Sequence, residues 1–128
     1  MESTRWATSD RIDLSDRIFH LEVLRGGMNR LLFRSNRSQT RSTRIEVFFM
    51  YVQHLCVPTR LEGPVIDRLG PLEENAHRVP WRLPSSETGL SVYSVSARGG
   101  SGTIVAAALA VEESSAGPSD PSGFFMMD

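Results

Sequence analysis

Six arginines crowd one stretch of the chain: Arg25, Arg30, Arg34, Arg37, Arg41 and Arg44, with no acidic residue between Val23 and Ile45. A guanidinium is planar, permanently charged and able to donate two parallel hydrogen bonds to a carboxylate or a phosphate. Such a cluster is suited to an acidic protein surface or to the phosphates of a nucleic acid. Arg30, Arg34, Arg37, Arg41 and Arg44 are the candidate partner-binding residues. Aromatic side chains that would stack on unpaired bases are sparse here, since Phe33 is the one aromatic among the arginines. The same residues also fit a solvated face in a chain whose basic residues are all arginine: there are 14 Lys+Arg in total and no lysine. An Arg-favouring genome accounts for that bias without selection for binding.

Other chemistries find less support. Cys56 and His54 share a face at i, i+2 on a strand, but the cysteine lies in an apolar run. A nucleophilic cysteine instead sits in an electropositive, partly exposed setting beside a base. Both residues read as packing. The three histidines, His20, His54 and His77, occupy separate segments and show no His-x-x-x-His or paired-Cys spacing, so no metal site is expected. Glu73-Glu74 and Glu112-Glu113 are adjacent pairs in connecting segments rather than opposed acid–base carboxylates. Gly99-Gly100-Ser101-Gly102 lacks the Lys-Ser/Thr ending of a phosphate-binding loop and reads as a hairpin turn. A hydrolase site assembled from His20, His54 and Glu46 has nothing positive behind it. No cofactor is expected, and the chain reads as a non-enzyme.

With 128 residues and 40% apolar content the chain is the size of one domain. No apolar run approaches a membrane span; residues 104–111 form the longest, and half of them are alanine. The N-terminal residues lack the layout of a secretory signal, and the single cysteine cannot form an internal disulfide. Both features favour a reducing, cytoplasmic setting. Charge is unevenly spread: nine arginines face five acids over residues 1–44, and five face ten over 45–128.

The elements that must carry these groups are β-rich. Residues 1–16 read as an irregular lead-in, 17–113 as a single β-rich domain, and 114–128 as a flexible tail ending in the apolar Phe124-Phe125-Met126-Met127. Residues 18–24 alternate, with Phe19, Leu21 and Val23 on one side, and Gly26-Gly27 turns the chain into a second strand over 28–33. On that strand Arg30, Leu32 and Arg34 share a face. Residues 35–43 contain no apolar side chain and form a long basic loop. Residues 44–49 are apolar on both faces, as expected of a central strand. A further strand over 53–57 ends at Pro58, and Val65-Ile66 forms another short one. A helical turn fits residues 72–77 with Glu73 and Glu74 near its start, and Trp81 would pin the following loop. Residues 90–97 and 103–111 form the last hairpin, its second strand weakened by alanines. The whole predicts a small antiparallel β-sandwich or curved sheet of six to seven strands with at most one short helix. An α+β roll is the alternative if 1–16 or 103–111 is helical.

Residues 44–59, followed by Leu61-Glu62-Gly63, resemble a segment of small bacterial proteins, some of them proposed as immunity proteins of polymorphic toxin systems. Those proteins run as strand, an F-x-x-V step, a second strand and a Pro-Thr turn. The later hairpin over 95–111 is similar. The resemblance implies a β-dominated module without enzymatic chemistry and carries over no site residues. The expected function is therefore a non-enzymatic protein-binding module of the toxin-neutralising kind, engaging an acidic surface. A nucleic-acid-binding accessory protein using residues 25–44 is the alternative.

Overall fold

The computed structural model describes residues 3–6, 9–25, 29–79 and 89–122, with only the backbone described for 3–6 and Arg25. The expected Gly26-Gly27 turn, the Trp81 contact and the apolar end at 124–127 lie outside these residues. Ten strands are present: β1 (Ser3–Trp6), β2 (Arg11–Asp13), β3 (Ile18–Arg25), β4 (Arg30–Ser35), β5 (Arg44–Met50), β6 (His54–Cys56), β7 (Arg60–Pro71), β8 (Ser91–Arg98), β9 (Gly100–Ala106) and β10 (Ala108–Ser114). One helical turn, α1 (Leu72–Asn75), continues into a 3-10 turn over Ala76–Arg78. The fold is mainly β, as the strand patterns predict, and every strand pairing is antiparallel.

The sheet order is β1-β10-β5-β4-β3-β7-β8-β9-β6, with β2 beside β7. Several of these strands are halves of longer, kinked runs. Residues 44–56 form β5 and β6 with a kink at Tyr51, a non-glycine residue at φ 58°. Residues 100–114 form β9 and β10 with a break at Ala107. The two runs pair with each other along most of their length: β10 against β5, then β9 against β6. Ala107 N–H to Met50 O (2.9 Å) and Gln53 N–H to Val105 O (2.8 Å) carry the pairing through the kinks. Because β9 also pairs with β8, and β5 with β4, the sheet curls round until its two ends share the same pair of runs. β2 and β3 likewise form a broken run along β7. The six or seven strands legible in the sequence correspond to β3 to β10, with β9 and β10 read as one strand, while β1 and β2 fall in the stretch read as a lead-in.

Curling sorts the side chains into an inside and an outside. Phe19, Leu31, Phe33, Ile45, Val47, Phe49, Tyr93, Val95, Ile104 and Leu109 fill the inside, all buried. Each is flanked along its strand by residues of the opposite face, as the period of two requires. The Phe49 and Tyr93 rings meet edge to face, with centroids 5.4 Å apart. Outside, Leu32, Phe48 and Ala110 form a second cluster, and Leu72, Leu90, Val92 and Val105 a third beneath α1.

Several expectations are corrected. The alternation of residues 18–24 breaks at Glu22, where a bulge lets Leu21 face Phe33 but sets Val23 opposite Leu32. Val23 consequently packs in the outer cluster. The Val65-Ile66 strand belongs to the twelve-residue β7, which tolerates Gly63, Pro64 and Gly70 through two register shifts. Residues 103–111 are strand, not helix, but split at Ala107. The lead-in supplies β1 and β2 rather than irregular chain. Cys56 is exposed, because it ends the short strand β6, whereas His54 is buried, 4% exposed. No helix among the described residues is long and apolar enough to cross a membrane.

Candidate anion-binding loop

The apolar-free stretch between β4 and β5 forms an ordered loop. Ser38 and Arg41 exchange main-chain hydrogen bonds (3.0 and 3.3 Å), and the Ser38 hydroxyl accepts from the Thr40 N–H at 3.3 Å. Such local side-chain bonding is the usual role of serine in turns. The loop's two ends are clamped by Arg17, a buried residue only 6% exposed. Its guanidinium donates to Ser35 Oγ (3.1 Å), Ser35 O (3.3 Å), Thr43 O (2.6 Å) and Thr43 Oγ1 (3.4 Å). Burial pushes the Arg17 guanidinium below its ordinary pKa, an effect opposed by the charge of Glu113. The Thr43 hydroxyl donates in turn to Glu113 Oε2 at 2.6 Å.

The structure divides the arginine cluster into three parts. Arg30 lies opposite Arg25 at the far end of the β3–β4 pair, five residues along β4 from the loop or roughly 17 Å. Arg34 and Arg44 share the outer face of β4 and β5 but are engaged within the chain. Arg34 contacts Glu46 Oε2 (2.8 Å), Glu22 Oε1 (3.2 Å) and Pro118 O (3.4 Å). Arg44, 1% exposed, donates to the carbonyls of Gly117 (2.9 Å), Asp120 (2.8 Å) and Pro121 (3.2 Å). These two are removed from the expected partner-binding set, because residues 115–122 fold back over them. The segment whose composition suggests a flexible tail is thus docked as far as Ser122, which is 5% exposed.

Arg37 and Arg41 remain on the surface. Arg41 is half engaged: Nη2 donates to Asp16 O at 2.8 Å, and Nη1 lies 3.5 Å from Asp16 Oδ2. Among the described residues Arg37 makes no hydrogen bond or ion pair. The two arginines line an open depression of about 380 Å³ together with Ser38, Ser42 and Pro118. Two guanidinium groups and two hydroxyls around a shallow opening can receive an oxyanion from outside.

No other described feature assembles chemistry. No group of three or more metal-ligating side chains occurs among the described residues. His20 and His54 stand on β3 and β6, which do not pair. A second depression of about 500 Å³, lined by Arg68, Pro71, Glu73, Glu74, Gly89, Leu90 and Ser91, mixes charges of both signs. Two structural features of the loop escape the sequence: the Arg17 clamp, which looks like any other arginine, and the docked segment, which the Pro/Ser/Gly composition disguises. Comparison with known proteins finds no matching family model, curated protein or solved structure.

Proposed function

We propose that the chain is a non-enzymatic binding module that presents Arg37 and Arg41 to an acidic protein surface. The observation that carries this reading is Arg37, an exposed cation with no hydrogen-bond or ion-pair partner among the described residues, on a loop whose ends are held by Arg17. A rigid loop loses little entropy on binding, and rim charges steer encounter with a complementary partner. The resemblance of residues 44–63 to small bacterial proteins, some of them proposed as immunity proteins, is what suggests a toxin as the partner, since blocking a toxin needs complementarity rather than chemistry.

The nucleic-acid alternative is less well supported. Even with Arg41 counted beside Arg37, two arginines neutralise about two phosphates, which would give a salt slope of only about −1.4 on a single strand. Phe33, the one aromatic among the clustered arginines, is buried in the core and cannot stack on a base.

The test is a titration of the full chain with a glutamate-rich peptide, followed by amide chemical shifts, with single-stranded DNA as comparator. Shifts confined to residues 36–43 that vanish at high salt and in Arg37→Glu/Arg41→Glu are expected. Shifts elsewhere, or shifts unaffected by the double reversal, overturn the reading. For the toxin assignment, co-expression with a toxic product of the adjacent gene should restore growth in an Arg37- and Arg41-dependent way.

A further inference from the structure

The surface depression has two walls from distant parts of the chain. The 36–43 loop supplies Arg37, Ser38, Arg41 and Ser42, and the docked C-terminal segment supplies Pro118. Arginines on β4 and β5 hold that segment by its carbonyls. Arg44 grips three of its carbonyls and Arg34 a fourth, at Pro118. Within the segment, Asp120 closes a turn: its Oδ2 accepts the Gly117 N–H at 2.7 Å, and its own N–H donates to Gly117 O at 3.1 Å. A side chain at 117 would meet Arg37 Nη2 on one side and Asp120 Oδ2 on the other, at 3.4 and 3.5 Å from its Cβ. Asp120 therefore brings a negative charge to the same place where Arg37 offers its positive one, without forming an ion pair with it.

We infer that this depression is a composite site for a carboxylate of the partner protein, its second wall positioned by Arg44 and its affinity restrained by Asp120. The inference rests on the binding-module reading above. Arg44 touches no ligand. It acts through the carbonyls of Gly117, Asp120 and Pro121, which place Pro118 beside the loop. Asp120 lowers the field that an incoming carboxylate meets at Arg37. With Asp16 beside Arg41, each arginine of the site has a carboxylate in its neighbourhood. A single carboxylate is thus held weakly, and stable binding requires a partner that presents several contacts. This favours selectivity for a shaped acidic surface over free anions.

The test is the glutamate-rich peptide titrated into full-length variants. Asp120→Asn keeps an acceptor for the Gly117 N–H and removes only the charge. It should tighten binding by roughly twofold to fivefold at low salt, the range for an exposed charge, and the gain should disappear at high salt. Arg44→Met should shift the amides of residues 117–121 and weaken binding several-fold with Arg37 and Arg41 intact, and Arg44→Lys should recover part of the loss. Asp120→Asn binding no tighter than the unaltered chain overturns the inference, as does Arg44→Met binding unchanged despite shifted 117–121 amides. If Arg44→Met does not fold, Asp120→Asn decides alone. If Arg37→Ala/Arg41→Ala retains binding, the binding-module reading itself has failed. Loss in that double variant with an unchanged Asp120→Asn defeats only this inference.

Discussion

Arg34 and Glu46 face each other across the β4–β5 pairing, and both Nε and Nη2 of the arginine lie 2.8 Å from the same carboxylate oxygen, Oε2. The other oxygen, Oε1, accepts no hydrogen bond among the described residues and sits 3.6 Å from Arg44 Nη2. One carboxylate, 1% exposed, thus serves two largely buried arginines. Removing it leaves both cations without their main counter-charge.

Glu46→Ala should therefore destabilise the fold by about 3 kcal/mol, the lower end for breaking a buried pair. Glu46→Gln should cost less, because its amide oxygen still accepts. Urea unfolding of the three proteins checks this, and equal midpoints would mean that the pair contributes nothing.

His54 gives a pH dependence. Burial lowers its pKa below the ordinary 6.5. Below that value the unfolded chain binds a proton at this position that the folded protein resists, so the unfolding free energy falls as pH drops below about 6.5. Above it both states hold the neutral imidazole, and the proton-linked difference vanishes. The unaltered chain should lose stability relative to His54→Phe between neutral and mildly acidic pH. A constant difference across that range would remove His54 as the source.

Tyr93 acts at the alkaline end. Burial raises its pKa above the ordinary 10.0, against the opposing influence of Arg68. Its stabilising contribution is intact below 10 and is lost as pH rises through the higher folded value. Ultraviolet titration should show a late phenolate transition that disappears in Tyr93→Phe.

Gly102 is a steric requirement. A Cβ there would stand 1.8 Å from the carbonyl oxygen of Cys56 and 2.8 Å from Val57 Cγ1. Gly102→Ala must push β6 away from β9, and should cost at least about 2 kcal/mol. Protection of the backbone amides in β6 against hydrogen exchange should fall with it. Preserved protection would show that the two strands separate at no cost.

How much of this was legible in the sequence differs from residue to residue. The run over residues 44–49 was readable as a doubly covered strand because both faces are apolar, and it pairs with β4 and β10 as such a strand must. The turn at 72–77 was readable from its acids and flanking prolines. Phe19 and Leu21 were correctly grouped, but Val23 was not, since a one-residue bulge leaves no compositional mark. Arg34 and Arg44 were indistinguishable from Arg37 and Arg41, because local sequence does not reveal which face a distant segment will cover. Residues 115–122 have the composition of free chain, yet arginines on β4 and β5 take up four of their carbonyl hydrogen bonds. Function was the least legible layer, since charge density alone does not separate spent cations from available ones.

The pairing of residues 44–56 with residues 103–114 also sets a timetable. The β3–β4 and β4–β5 neighbours can meet as soon as they leave the ribosome, whereas β5 must wait for β10, some sixty residues later in the chain. Until then the inward faces of Val47 and Phe49 lack their cross-strand partners Val111 and Leu109. Those apolar faces are therefore covered only after the last strands are made, and long-range pairing of this kind is slow and exposed to aggregation.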